Sequence, residues 1–201
     1  SWLFFPLLYL LAAARGVPVV VTLHSAWNRE KISPPFLPLK RVYVWLNNAL
    51  LAAGANHLVF LSENCQEGFD RSVSVQQYEL LSHGVQTNTV EMSSEEAKRE
   101  FGYDTDETVV VLPGYVRPEK GQKVFVEMAD AISENEFLIA GGTQAEEDES
   151  YLAEVDELSP DNVQITGILD DNRFHAAFNA ADVAVLPYFE VTQSGIFNWC
   201  V

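Results

Sequence analysis

The sequence predicts an α/β chain built on doubly wound parallel sheets, and three observations carry that prediction. β-Branched runs without polar alternation recur along it, as in VPVVVTL, HLVFLS, TVVVLPG and FLIAGG. Strands of this kind are buried on both faces, as in parallel sheets. Helical spacing alternates with these runs, which is the pattern of a doubly wound fold. Composition then shifts between residues 85 and 105, which predicts two α/β units, 1–90 and 91–201.

The elements follow in order. Residues 2–14 are almost wholly apolar and read as a buried helix ended near Gly16 and Pro18. The run falls short of the roughly 20 residues needed to span a bilayer. No basic segment precedes it, so it does not read as a signal peptide. The strand at 17–23 delivers His24 at its C-terminal edge. Pro34, Pro35 and Pro38 mark a loop over 29–40, and helical spacing returns over 40–53. A strand at 57–62 leads to a helix over 62–70, with Ser62 as its cap and Glu63 favouring its N-terminal dipole. The stretch VSVQQYELLSHGV is ambiguous and closes at His83–Gly84.

The second unit opens with an acidic helix and turn over 91–107. Then come the strand TVVVLPG, a helix over 121–133, the strand FLIAGG at 137–142 and an acidic helix over 146–158. VQITG, the helix DDNRFHAAFNAAD and the strand VAVLPY complete the alternation, and a last helix barely starts at TQSGIFNWCV. Asp170–Asp171 read as a helix cap, not as a metal site.

Charge and cysteine content bound the function. The formal net charge is -17, and residues 85–161 hold 20 acids against 5 bases. Such a field repels a nucleic-acid backbone, so no nucleic-acid partner is expected. Cys65 and Cys200 form no CxxC motif, which favours a reducing, cytoplasmic setting. His57, His83 and His175 are dispersed with no HExxH pattern, so no metal site is expected.

Three places can carry chemistry. In PGYVRPEKG, Gly114 and Gly121 allow close backbone approach beside a strand end, where ligands collect in open α/β sheets. Arg117 offers a rigid fork of donors and Lys120 a compact cation, together suited to a diphosphate. The alternative is a solvated turn in which both pair with Glu119. The loop is not a Walker A motif, and no GxGxxG is present. In PYFEVTQSG, Glu190 follows a strand end and Ser194–Gly195 stand at a helix start, where free N–H groups attract phosphate. The alternative is an ordinary cap by Thr192 or Ser194. His24 can donate to a sugar hydroxyl or a leaving group, or serve as a satisfied partial-core histidine.

Taken together, VPVVVTLHSAW, NHLVFLSE, HGV, LPGYVRPEKG, FLIAGG, VQITGILDD and AADVAVLPYFEVTQSG, in that order, resemble the retaining GT-B glycosyltransferases of family 4, the group 1 glycosyl transferases. The resemblance covers essentially the whole chain. It implies GT-B architecture: two Rossmann-like domains facing a cleft, with residues 1–90 the C-terminal part of the N-terminal domain and 91–201 the N-terminal part of the donor-binding domain. It implies transfer of a hexosyl-type sugar from a nucleotide-sugar donor to an acceptor hydroxyl, with retention of configuration, without cofactor or metal. The acceptor is a saccharide, a lipid-linked species or a small molecule. Lys120 matches the diphosphate-binding lysine, Glu190 the first glutamate of a two-glutamate motif, and Ser194, Gly195 and Ile196 the helix start that receives phosphate. His24 matches a histidine that approaches the donor sugar.

Two departures stand out. Tyr115 occupies the place of the family's usual loop arginine, with Arg117 two residues on as the substitute. Asn198 stands where a ribose-binding glutamate is usual. The resemblance also implies missing flanking segments, so the chain is expected to be an internal fragment that is weakly stable or inactive alone. Two rival functions remain open: a non-catalytic sugar-nucleotide-binding or scaffolding module, and a GT-B phosphorylase or epimerase-like enzyme.

Overall fold

The structure is a computed structural model that describes residues 4–25, 35–82, 84, 90–189 and 195–200. The chain divides into two compact units, Ser1–Gly84 and Val85–Val201.

The first unit holds helices α1 (Phe4–Ala14), α2 (Leu37–Gly54) and α3 (Glu63–Asp70) with strands β1 (Val20–Leu23), β2 (His57–Phe60) and β3 (Tyr78–Leu80). The strands form a parallel sheet in the order β1-β2-β3. Its core gathers Val21, Leu58, Phe60, Cys65 and Phe69. Phe60 meets Phe69 and Tyr78 edge-on, each at 5.5 Å between ring centres, a favoured aromatic arrangement. Ser62 caps α3 as its sequence suggests, accepting from the Cys65 amide at 3.2 Å. The ambiguous stretch before Gly84 resolves as the short strand β3.

Two expectations for this unit change. α1 is not a buried helix, because Leu7, Leu8 and Leu11 are exposed. Its cover comes from one side, where Tyr9 lies against Gly54 of α2. β1 is shorter than the apolar run that predicts it, and Val20 is 64% exposed while Val21 is buried. An edge strand with a helix on one face shelters only alternate residues.

The second unit holds α4 (Ser94–Phe101), β4 (Val109–Pro113), α5 (Gln122–Ala131), β5 (Glu136–Ala140), α6 (Glu149–Leu158), β6 (Val163–Ile165), α7 (Asp171–Ala180) and β7 (Val183–Ala184). The sheet is parallel throughout, in the order β6-β5-β4-β7. Succession runs one way from β4 to β6 and then jumps back across β4 to β7. β4 and β7 therefore flank the topological switch point, where the connections diverge and leave a crevice.

β4 is buried along its full length. Val109 and Val111 face one layer with Ala97, Phe101, Leu138 and the α7 alanines Ala176, Ala177 and Ala180. Val110 and Leu112 face the other, with Phe125, Val126, Phe137, Ile139 and Val155. The uninterrupted valine run thus reflects two cores, one on each side of the sheet. β6 and β7 are shorter than VQITG and VAVLPY suggest. Ladder pairing is confined to Val163–Ile165 and Val183–Ala184. Of the expected last helix, the described residues Phe197–Trp199 form a 3-10 turn.

Caps in this unit are local and strong. Ser93 and Glu96 form a reciprocal capping box on α4. Asp170 caps α7, accepting from the Arg173 amide at 2.9 Å. Lys98, almost wholly buried, donates to the Glu107 carbonyl at 2.7 Å and pairs with Asp182 at 2.8 Å. The same Asp182 carboxylate accepts from the Val109 amide at 2.9 Å. One carboxylate thereby ties α4 and the starts of β4 and β7 together.

The turn after β4 is fixed by a close approach. Gly121 has φ of 76°, and a Cβ placed there would stand 2.1 Å from the Pro187 carbonyl oxygen. The turn is therefore seated directly on the segment leaving β7.

Two outcomes are expected from these contacts. Burial alone would raise the Asp182 carboxyl, but the Lys98 hydrogen bond, the Val109 amide and the Lys98 charge outweigh it and hold the group below the usual aspartate range. Its contribution is therefore complete above the unfolded value of about 3.9 and is lost as pH falls through the lower folded value. Asp182→Asn should cost about 1–2 kcal/mol at pH 7, toward the lower end because the side chain is 41% exposed. Urea melts at a series of pH values should show the gap to wild type closing on acidification. Gly121→Ala should cost about 2 kcal/mol or more, from left-handed backbone and steric clash combined. A wild-type urea midpoint in that variant would contradict the packing described.

Candidate functional site

A cavity of about 330 Å³ opens at the C-terminal ends of β4 and β5. Its wall includes Gly114, Tyr115 and Lys120 after β4, Gly141 and Gly142 after β5, and Ile196. Ile168, Leu169 and the first turn of α7, with Asp171 and Phe174, close the far side. All belong to the second unit.

The backbone makes this opening. The Gly114 amide donates to Ala140 O at 3.0 Å, and the Val116 amide to Gly142 O at 2.9 Å, so pairing with β5 continues past the strand end. Gly141 has no room for a side chain, since a Cβ there would meet Gly114 O at 2.0 Å. Its amide donates to Thr166 Oγ1 at 3.0 Å. Two loops can therefore run side by side as a floor of nearly bare main chain.

The turn that carries the charges is braced from inside. Gln122 is completely buried, yet it is polar. Its Nε2 donates to Tyr115 O at 3.2 Å, and its Oε1 accepts from the Arg117 amide at 3.4 Å. One amide side chain thus satisfies both directions of the loop backbone, as a buried polar group must. Residues Pro118–Lys120 form a 3-10 turn. The Phe189 amide donates to Glu119 O at 3.1 Å, tying the turn to the segment that leaves β7.

The two predicted cations part company here. Arg117 is turned away from the cavity wall. Its Nε donates to Asp148 Oδ2 at 3.2 Å, and a terminal nitrogen lies 3.8 Å from Glu119. Lys120 is half-buried on the wall, with Nζ 3.9 Å above the centre of the Tyr188 ring. A cation over an aromatic face is favourably placed, more so where water is partly excluded. Burial holds the Lys120 ammonium below the usual lysine range, Glu119 opposes this, and the Arg117 charge adds to it.

Pairing sets Lys120 apart. The second unit contains six lysines and arginines. Five of them have a carboxylate within ion-pair distance: Lys98 with Asp182, Arg99 with Glu95, Arg117 with Asp148, Lys123 with Glu154 and Arg173 with Glu100. Among the described residues, no such carboxylate accompanies Lys120. Among the described residues of this strongly acidic unit, Lys120 is thus the cation that no ion pair occupies.

The other predicted residues are placed as follows. Gly114 has φ of 108° and lines the cavity with Ile196, while Gly195 is exposed just before it. His24 follows β1 in the first unit and is exposed. His83, Val85, Glu190, Thr192 and Ser194 lie outside the described residues, as does the side chain of Asn198. Sequence reasoning missed Gln122, Asp148 and Tyr188. Gln122 directly follows the turn, and its position was its one available signal. Among the described residues, no cluster of three or more His, Cys, Asp or Glu side chains is arranged to hold a metal ion. No helix among them is long and apolar enough to cross a membrane.

Comparison with known proteins places this geometry. Residues 107–197 match the family model described as "Glycosyl transferases group 1". No curated protein sequence matches the chain. Among solved structures, HepE of Anabaena crystallised with UDP is similar with a TM-score of 0.77 at 14% identity, over 94% of this chain and 52% of that one. Sucrose-phosphate synthase from Thermosynechococcus elongatus gives 0.68 at 20% identity, over 87% and 45%. A glycosyltransferase from Rickettsia africae gives 0.67 at 16%, over 90% and 48%. The chain spans about half the length of these structures. At such identities the likeness establishes the fold, which is GT-B in type with parallel sheets. The cavity-bearing segment, residues 107–197, is thus similar to the group 1 glycosyl transferases, and the chain carries it on part of a GT-B fold.

Proposed function

We propose that this chain is the donor-handling part of a retaining glycosyltransferase, with a nucleoside-diphosphate sugar as donor and a hydroxyl compound as acceptor. The observation that carries the reading is Lys120. It is a half-buried lysine on a cavity wall at a sheet switch point, without a carboxylate partner among the described residues. The names of similar structures support the ligand class. HepE was solved with UDP-glucose, and a starch synthase of Arabidopsis thaliana with ADP and acarbose.

The chemistry follows from the charge. Transfer breaks the bond between the anomeric carbon and the diphosphate oxygen, and the electron pair leaves with the diphosphate. Lys120, with the amides of Gly195 and Ile196, stabilises that growing charge more in the transition state than in the ground state. The acceptor oxygen bonds to the same carbon from the face the diphosphate leaves, so configuration is retained. The acceptor proton passes to the departing phosphate oxygen on that face. These cationic and amide groups supply what a metal would otherwise supply, so the reaction is proposed to proceed without one. Asn198 is assigned to the ribose. His24 and Glu190 are assigned to the transfer step on the resemblance of their motifs. The hexosyl donor, the retention and the soluble, cytoplasmic setting belong to this same proposal.

Calorimetric titration of the chain with UDP-glucose, ADP-glucose and GDP-mannose tests the reading. At least one should bind, and EDTA should leave the affinity unchanged. Lys120→Ala should weaken that binding about 10- to 100-fold, the value of one charge-assisted contact. Wild-type affinity in this variant would sink the assignment. The pH dependence has a definite sign. The lysine must be protonated to bind, and its pKa is depressed by burial, so affinity should fall at a lower pH than an ordinary lysine would give. Lys120→Arg, whose guanidinium stays charged, should extend binding to higher pH.

A further inference from the structure

We propose that Asp148 is a positioning residue for the anion site and that Arg117 is its tether rather than a ligand of the diphosphate; the inference rests on the assignment of Lys120 to that anion. Arg117 stands directly before the Pro118–Lys120 turn. Its Nε reaches Asp148 Oδ2 at 3.2 Å, and Glu119 lies farther off at 3.8 Å. Asp148 is the sheltered partner, with its side chain 13% exposed against 37% for Arg117. Its own backbone is fixed, because its amide donates to Ala145 O at 3.0 Å in the turn that leads into α6. The carboxylate is thus the anchor carried by that turn, and the arginine is the arm that spans from it to the Lys120 turn.

Geometry argues against a second role for that arm. Arg117 does not line the cavity, whereas Lys120, three residues on, does. Turning the guanidinium toward an anion would break the pair and leave Asp148 sheltered and uncompensated, which is costly. The turn is otherwise held by Gln122 on one side and by the Phe189 amide on the other. Asp148 supplies a third attachment, from α6's leading turn. Three attachments in different directions define where Lys120 sits.

The two possible roles of Arg117 predict opposite signs. If it were a phosphate ligand held in reserve, removing Asp148 would release it and tighten binding. If it is a tether, removing Asp148 weakens binding just as removing Arg117 does. The experiment uses Asp148→Ala, the isosteric Asp148→Asn, Arg117→Ala, Arg117→Lys and the double variant R117A/D148A. Each is titrated with UDP-glucose and with inorganic pyrophosphate, and amide hydrogen exchange is followed at Lys120 and Phe189.

Each single variant should weaken binding about three- to tenfold, and the double should be no worse than the weaker single, because both act through one contact. Arg117→Lys should not restore binding, since an ammonium cannot reproduce the fork that meets the carboxylate. In a Lys120→Ala background, Asp148→Ala should add almost nothing. A merely structural role would still add its full effect there. Exchange at the Lys120 and Phe189 amides should quicken in every Asp148 and Arg117 variant. Tighter binding in Asp148→Ala, or unchanged exchange at these two amides, would overturn the proposal. A wild-type chain that binds neither probe, but whose amides quicken in Asp148→Ala, sinks the diphosphate reading and leaves the tether standing.

Discussion

Strand β4 is the constraint on which the second unit depends. Its five residues are buried on both faces, and it is hydrogen-bonded to β5 on one side and β7 on the other. A strand so enclosed can release its chain only at its end, and the end here coincides with the reversal of strand order. Connections on the two sides of β4 lie on opposite faces of the sheet, so a crevice opens between them. The cavity is a consequence of that topology. The bare main chain at Gly114, Gly141 and Gly142 keeps it open, and Asp182 holds the other end of the strand in register with α4 and β7.

Polar groups then act in a graded way around that opening. Gln122 is fully buried because it replaces backbone partners that a looping chain cannot find for itself. Asp148 is mostly sheltered and holds Arg117, and Lys120 is only half-sheltered. The order matters for affinity. A fully exposed lysine would be screened by salt and surrounded by water, and a fully buried one would tend to lose its charge. Partial burial over the Tyr188 ring gives a cation that stays charged and has shed part of its water. An anion that reaches it exchanges little hydration for a direct contact.

Local patterns were legible in the sequence, and long-range ones were not. The valine run of β4, the Ser62 and Asp170 caps and the cationic turn all follow from neighbours within a few residues, whose effects do not depend on the rest of the chain. The partner of Arg117 lies 31 positions away in Asp148. Nothing local distinguishes that aspartate from Glu119 beside it or from the acids around it. The choice is made by the β4–α5–β5 crossover, which brings two turns to the same end of the sheet. The lengths of β6 and β7 failed for a related reason: the pairing with β5 and β4 stops before the apolar sequence does. The exposure of α1 is the same lesson in reverse. An apolar face is a demand for cover, and its sequence says nothing of how much cover the fold provides.

The two cations of RPEKG show why residue type alone underdetermines a site. Both are suited to phosphate, and Arg117 is the better fork. That very property suits it to a carboxylate, and in a unit with 24 acids against 6 bases carboxylates are the commoner neighbours. A guanidinium in such a field is captured wherever a fixed carboxylate lies within reach. A lysine three residues later escapes capture because the 3-10 turn aims it at the cavity and at an aromatic ring. An acidic surface therefore acts as a filter on its own cations. Those that reach an acid become structural struts, and among the described residues Lys120 is not paired in this way. In this unit the availability of a charge is decided by where the main chain points it, which is why the proposed anion site centres on Lys120 and not on Arg117.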